Sequence, residues 1–336
     1  MRRPRALLAM SDYAFTTQFG PTELARLRAL ADLPATLHVE RLDTPQAHAL
    51  LADVEVLITS WGCPPIDADV LAAAPRLRAV LHAAGTVRQL CTDALWERGV
   101  VVTTSAGGNA VPVAEFTLGA IILAGKRAPY LAAAAREGAP DWFRHRDRFG
   151  VASNHDVTVG VVGFSRIGRL TVGLLQPLGW RVLVHDPVVD ADAIRAAGAE
   201  PTTLDDLLRR SDVVTVHAPD LPSTRGMIGA RELGLMRDHT TLINTARGAI
   251  VDTEALTREC VSGRLNAMLD VTDPEPLPRT SPLYRLPNVM LTPHIAGSQG
   301  PETRRMSAHT LDELERLVRG EPLVSQVRRE QLAVIA

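Results

Sequence analysis

The 336-residue sequence lacks several features that would settle its class at once. Its three cysteines, Cys63, Cys91 and Cys260, are odd in number and far apart, so they form no disulfide framework. No C-x-x-C pair marks zinc or redox chemistry, which leaves no metal to expect and makes a reducing compartment the simpler setting. Thirty-six basic side chains nearly balance 38 acidic ones, and a net charge of −2 carries no clustered basic footprint for nucleic acid. No uninterrupted apolar run reaches the ~18 residues of a membrane span. The nearest, Val111 to Ala124, is broken by Glu115 and Thr117 and reads as a buried helix, so no membrane partner is expected. The start, MRRPRALLAMSDY, has the charged head of a signal peptide, but its apolar run from Ala6 to Met10 is shorter than the usual ~7–15 residues. It reads as a first β-strand, and a cytoplasmic location is expected.

What is present is ample apolar material, 46% hydrophobic against 22% charged, in a chain long enough for two cores. Short apolar runs alternate with helical patterns: RALLAM with TELARLRALADL, EVLITS with DADVLAAAP, LRAVLHAAG with CTDALWERG, then VVVTTS. The series restarts after residue 155 with TVGVVG, RVLVHD, DVVTVHAP, TTLINTAR, AMLDV and VMLTPH. Alternation of this kind implies parallel sheets covered by helices, here as two α/β units. Between them Asn109 to Glu137 is too apolar for a flexible linker and is expected to be a bridging helix. A last helix, Glu302 to Arg319, stops at Gly320-Glu321-Pro322 and is expected to cross back onto the first domain. The domains are therefore drawn as 1–105 with 299–336, and 106–298. The arginine-rich stretch 141–150, DWFRHRDRFG, reads as a solvated contact loop ahead of an anion site, because its charges are mixed.

The chemistry begins at Gly163-Phe164-Ser165-Arg166-Ile167-Gly168, a G-x-G-x-x-G nucleotide loop in which Ser165 replaces the middle glycine. A strand entering Gly163 permits a tight turn, Gly168 lets the next helix pack close, and a pyrophosphate would sit on that helix's amino terminus. The following strand ends in Asp186, 18 residues after Gly168, where a carboxylate can accept bonds from the adenosine ribose. Asp186 also repels a 2′-phosphate and is followed by Pro187, not arginine, so NAD is favoured over NADP. Arg247, Glu275 and His294 each follow a predicted strand, and carboxyl ends of strands in an open α/β sheet face the ligand crevice. A cation, a carboxylate and an imidazole are thus delivered to one edge.

The segments NTARGAIVDTEAL (244–256), LDVTDPEPLP (269–278) and LPNVMLTPHIAG (286–297), in this order after GFSRIG, resemble the D-isomer-specific 2-hydroxyacid dehydrogenases. The resemblance covers nearly the whole chain, since residues 83–118 are similar to that family's substrate-loop region. It implies a Rossmann NAD-binding domain and a flavodoxin-like substrate domain, both doubly wound parallel sheets, with a cleft between them. It further implies a homodimer that interconverts a 2-oxo acid and a D-2-hydroxy acid. Arg247 would then pair with the substrate carboxylate, His294 would be the acid and base, and Glu275 would orient its imidazole. Backbone amides at Ala84 and Gly85 would cradle the carboxylate, and Asn109 and Glu115 would lie near the hinge. For NAD the resemblance points to Arg166 and Ile167 at the pyrophosphate, Asp186 at the ribose, and His217, Ala218 and Pro219 on the adenine side. Thr224, Thr245, Ala246 and Asp270 would lie toward the nicotinamide.

Two residues depart from the family pattern. Thr272 stands where many relatives carry an aromatic, and Ser165 adds a Cβ and a hydroxyl expected to donate to a phosphate oxygen. The family also contains NAD(H)-sensing corepressors and formate- or phosphite-type dehydrogenases. The first reading is disfavoured by the lack of an extended arm, the second because Ala84 offers no side-chain cation. Trp61 and His82 are candidates for the substrate-side wall or for packing.

Overall fold

The computed structural model describes residues 2–136 and 146–333. The chain divides into two compact units, Met1–Asn109 with Ser298–Ala336, and Ala110–Gly297. In the first unit β1 (Ala6–Ala9), β2 (His38–Val39), β3 (Val56–Thr59), β4 (Ala79–His82) and β5 (Val101–Thr104) form a parallel sheet in the order β2-β1-β3-β4-β5. That is the flavodoxin-like order. In the second, β6 (Thr158–Val162), β7 (Arg181–His185), β8 (Glu200–Pro201), β9 (Val213–Val216), β10 (Thr241–Asn244), β11 (Asn266–Leu269) and β12 (Val289–Leu291) are parallel throughout. Their order, β12-β11-β10-β9-β6-β7-β8, is the doubly wound order with its reversal between β6 and β9. Strands such as β1, β3, β6 and β9 are buried along their whole length, because helices cover both faces of a parallel sheet.

After the second unit the chain returns to the first as helix Arg304–Arg319. Met306, Ser307, Thr310, Leu311 and Leu314 share its buried face, and Leu311 and Leu314 join the core built by β1, β3 and β4. Arg26 clasps the outer face through Asp312 and Glu315 at 2.8 and 2.7 Å. Gly320, left-handed at φ +68°, ends the helix. The sheet then gains β13 (Gln326–Val327), antiparallel to β5, a strand the sequence reading did not contain.

Two expectations about the middle of the chain are corrected. The bridging segment is two helices, Ala106–Gly125 and Ala128–Arg136, broken at Arg127, whose φ is +55°. Pro129 forces the break, since its ring would clash with the carbonyl four residues back and it has no amide to give. Nor is the first helix wholly buried. Ala110, Val113, Ala114, Thr117, Ala120, Ile121 and Ala124 form its covered face, whereas Leu123 is 43% exposed and Phe116, Leu118 and Ile122 are half-buried. By length and composition it is the one helix among the described residues able to cross a membrane. Of the stretch 141–150, residues 141–145 lie outside the described residues; in the remainder the Arg148 guanidinium stacks 4.7 Å from the centre of the Phe149 ring.

Candidate active site

The nucleotide loop is shaped by close packing. Gly163 has φ +96°, and a Cβ on it would lie 2.6 Å from the amide nitrogen of Ala218. A Cβ on Gly168 would lie 2.2 Å from the Gly163 carbonyl oxygen. Neither position admits a side chain, so the first and third glycines keep the roles their spacing suggests.

Ser165 does something other than expected. Its backbone is extended (φ −65°, ψ −175°), which any residue adopts, and it caps helix Arg166–Leu175, accepting from the Gly168 amide at 3.5 Å. The hydroxyl proton goes to the His217 carbonyl at 2.9 Å, joining the loops after β6 and β9 at the point where strand order reverses. The expected donor to phosphate is thus spent within the protein. What the loop offers an anion is the first-turn amides of Arg166 and Ile167, which have no intrahelical acceptor. Ser165→Gly should therefore change NADH affinity by less than about tenfold, because glycine is nearly as good a cap. Ser165→Val, lacking both bonds, should cost about 1–2 kcal/mol of stability as well as NADH affinity. Melting curves and fluorescence titration of NADH on both variants check this.

Asp186 accepts from the Phe164 amide at 2.7 Å and from the Val188 and Val189 amides at 2.9 and 3.0 Å. A carboxylate has about four acceptor sites, so one remains open on this part-exposed side chain. The residues fit a dinucleotide: bare glycines for close approach, free amides for a diphosphate, and a carboxylate with a lone pair left for a hydroxyl. NADH should be preferred to NADPH by about tenfold or more in kcat/KM, ~1.4 kcal/mol, since a 2′-phosphate would face that charge. Equal use of both would contradict it.

Beyond the reversal point the expected set is only partly at the surface. The His217 ring is 3% exposed, bonds Thr215 Oγ1 at 3.0 Å, and is kept neutral by burial, which pushes its pKa down to about 3. The part of His217 that reaches the loop is its carbonyl. Ala218 is buried beside Gly163. Thr224 staples its own loop, donating to the Pro219 carbonyl and accepting from the Leu221 amide at 2.9 Å. Thr245 Oγ1 meets Thr117 Oγ1 at 3.0 Å, and Ala246 is 7% exposed.

The ionisable residues converge. Asn244, buried at the end of β10, accepts from the Ala246 amide at 3.0 Å and donates to the Arg247 carbonyl at 2.9 Å, fixing the turn that presents the exposed Arg247. Next to it, a Cβ on Gly248 would lie 2.0 Å from the carbonyl carbon of Thr272. Only glycine lets the Arg247 turn press onto the loop that leads to Glu275. Thr272 Oγ1 donates to the Pro274 carbonyl at 2.8 Å, which tightens the same loop.

At β12 the loop is held from below by Asp270, which is 4% exposed. Its carboxylate accepts from Thr292 Oγ1 at 2.6 Å and from the Ile295 and Ala296 amides at 2.8 and 2.9 Å, and its carbonyl accepts from the His294 amide at 3.0 Å. These bonds hold His294 at φ +55°, a left-handed conformation that costs a non-glycine residue on the order of 1–2 kcal/mol. The result is one contact: His294 Nδ1 donates to Glu275 Oε1 at 2.6 Å. With Nδ1 engaged, Nε2 is the nitrogen left to exchange a proton, on a side chain 49% exposed. Sequence reading placed Asp270 toward the cofactor and missed Asn244 and Gly248 as positioning residues, although both stand inside the quoted NTARG motif.

In the first unit, β4 ends in His82, 5% exposed, bonded through Nδ1 to Thr59 Oγ1 at 2.9 Å and lowered by burial to a pKa of about 4. It is a neutral packing residue under the Ala83–Thr86 loop. The carbonyls of that loop all face inward: Ala83 O accepts from Ser60 Oγ at 3.0 Å, Ala84 O from the Ser105 amide and Thr104 Oγ1 at 3.0 Å each, and Gly85 O from Thr104 Oγ1. In a trans peptide N–H and C=O point in opposite directions, so the amides of Ala84, Gly85 and Thr86 each point away from the donor that binds the adjoining carbonyl. Ala84 and Gly85, expected to offer their amides to a carboxylate, thus lie in a loop fixed through its carbonyls, with Ala84 1% exposed. Trp61, half-buried, packs against the first-unit core and accepts from the Ser11 amide at 2.9 Å. Asn109 Oδ1 accepts from the Ser298 amide at 2.9 Å, tying the start of the long helix to the returning chain; Glu115 is on that helix's exposed side.

Comparison with known proteins agrees with this geometry. Residues 118–296 match the model of the D-isomer specific 2-hydroxyacid dehydrogenase, NAD binding domain. The chain is 34% identical over 275 residues to the glyoxylate reductase of Aeropyrum pernix, covering 80% of this chain and 82% of that one. It is 33% identical over 297 residues to the D-3-phosphoglycerate dehydrogenase of Mycobacterium tuberculosis, covering 87% of this chain and 55% of the relative. The chain thus spans about half the length of the phosphoglycerate dehydrogenases it matches. Among solved structures, apo D-mandelate dehydrogenase of Rhodotorula graminis is 26% identical with a TM-score of 0.81, covering 100% of this chain and 99% of that one. A phosphoglycerate oxidoreductase from Rhizobium etli is 25% identical with a TM-score of 0.83 over 98% of this chain and 100% of that one. With its nucleotide loop, its strand-end Arg247 and its Glu275–His294 pair in that setting, the chain belongs to the D-isomer specific 2-hydroxyacid dehydrogenase family, residues 118–296 forming its NAD-binding domain.

Proposed function

We propose that the protein is an NAD-dependent oxidoreductase that interconverts a 2-oxo acid and the corresponding D-2-hydroxy acid. The observation that carries this is the 2.6 Å contact between His294 Nδ1 and Glu275 Oε1, held by the loop that Asp270 clamps. Bound NADH supplies the hydride. Arg247 binds the substrate carboxylate through a charge-assisted, forked contact. Protonated His294 gives its Nε2 proton to the carbonyl oxygen during reduction and, neutral, removes it during oxidation. Glu275 keeps the ring oriented and balances its charge in the protonated form.

The test is NADH consumption with glyoxylate, hydroxypyruvate, pyruvate and larger 2-oxo acids. Turnover supports the enzyme; tight NADH binding without turnover of any acid favours a sensing protein instead. We further propose a homodimer in the cytoplasm. Three free cysteines fit a reducing compartment, and the uncovered apolar side of helix Ala106–Gly125, with Leu123 at 43% exposure, fits a second copy of the chain. The mass in solution should be twice that of the chain.

A further inference from the structure

At the amino-terminal edge of the second sheet, away from the edge that carries Gly163 and His294, lies a cavity of about 180 Å³. Gly125, Arg127, Ser153, Asp156, Val157 and Asp212 line it. Arg127 is its anomaly. The residue is 7% exposed, Nη1 donates to Thr241 Oγ1 at 2.9 Å, and Nε is buried with no acceptor. No carboxylate forms an ion pair with it among the described residues, and burial lowers its pKa against the smaller, raising influence of Tyr130 and Asp212. An arginine withdrawn from water normally has an anion against it, because an uncompensated buried charge is costly.

The neighbouring acid does not fill that role. Asp212 Oδ2 accepts from the Thr158 amide at 2.8 Å and Oδ1 accepts from Arg237 at 2.7 Å, so its charge is already matched. The carbonyl end of helix Ala106–Gly125, next to Arg127, supplies only a fractional negative charge. The other carboxylate on the lining, Asp156, is turned to solvent, 89% exposed and 3.4 Å from His155 Nε2, so neither acid is bound to the Arg127 guanidinium.

The backbone points the same way. Among the described residues four non-glycine positions have positive φ; one is His294, and the other three, Arg127, Asp156 and His239, gather here. Asp156 lines the cavity, and His239 packs on Gly150, where a Cβ would lie 2.6 Å from His239 Cβ and 3.3 Å from Arg127 Nη2. Such conformations persist where surrounding structure imposes them, and they concentrate at binding sites. A second donor is at hand: Ser153 Oγ accepts from the His155 amide at 3.0 Å, which leaves its proton to give.

We propose that this cavity is a second ligand site, separate from the nucleotide edge, that takes a small oxyanion on the Arg127 guanidinium and the Ser153 hydroxyl. The volume suits a ligand of a few heavy atoms, such as a short-chain carboxylate or inorganic phosphate.

The test is calorimetric titration of the full chain with sodium acetate and, separately, with inorganic phosphate. The parent for these titrations is Arg247→Ala with NADH saturating, so that the nucleotide edge does not compete for the anion. Saturable binding with a dissociation constant of about 1 mM or tighter is expected for at least one anion, and the tighter of the two names the ligand chemistry. Arg127→Met should weaken it by tenfold or more. Ser153→Trp, which fills the cavity and leaves the arginine in place, should do the same and carries the test if Arg127→Met does not fold. Absence of saturable binding by either anion, or undiminished binding to folded Ser153→Trp, overturns the proposal.

Discussion

His294→Gln should lower turnover in both directions by about a hundredfold to ten-thousandfold, the usual contribution of a positioned acid–base group, or roughly 3–5 kcal/mol of barrier. The expectation rests on the ring's arrangement. Nδ1 is committed to Glu275 at 2.6 Å, so Nε2 alone exchanges the proton, and glutamine cannot carry that proton from one state to the other. Reduction consumes a proton and oxidation releases one. With the wild-type chain the reduction rate should therefore fall as pH rises while the oxidation rate climbs. In His294→Gln both profiles should flatten. Glu275→Gln keeps an acceptor in place but removes its charge, and it should slow both directions by less than His294→Gln. Initial rates of both directions across pH, on the three proteins, check the set. A His294→Gln variant with wild-type rates and slopes would remove His294 from the chemistry.

Arg247→Ala should reduce kcat/KM by about 150-fold or more, on the order of 3 kcal/mol, while NADH binding stays within a factor of a few. A substrate carboxylate that loses its forked, charged partner also loses the group that sets its orientation. The residues proposed to hold the cofactor lie on other loops, at Gly163, Arg166 and Asp186, and do not depend on the guanidinium. The effect is specific to position because the turn is fixed twice, by the Asn244 side chain on the Ala246 amide and the Arg247 carbonyl, and by Gly248 against Thr272. Steady-state kinetics with an accepted 2-oxo acid and a fluorescence titration of NADH separate the two quantities. Unchanged kcat/KM would place the carboxylate elsewhere.

Much of this fold could be read from the sequence because fully buried parallel strands leave continuous apolar runs, as in TVGVV and VVTV. The two-residue strands β2, β8 and β13 were not legible, since so short a segment has no period and its pairing is decided by the neighbouring strand. The break at Arg127 carried a signal, Pro129, that the apolar run around it obscured. At the site, Gly163, Gly168, Asp186, Arg247, Glu275 and His294 were legible because residue type and strand-end position coincide. The destination of the Ser165 hydroxyl was not. Its acceptor is the His217 carbonyl, 52 residues away in sequence, brought close only by the β6–β9 pairing. For the same reason the His217 ring, plausible beside adenine from the motif alone, is packed inside the sheet, and the hold of Asp270 on the His294 loop depends on β11 lying beside β12.

The central claim, that this edge of the sheet reduces a 2-oxo acid with NADH, is tested most directly by incubating the chain with NADH and a series of 2-oxo acids of increasing side-chain size. NADH loss is followed, and the product is resolved on a chiral column. The account predicts NADH consumption with at least one acid and a product of the D configuration, both abolished in His294→Gln. An L product, or no NADH loss with any acid by a chain that binds NADH, would contradict it.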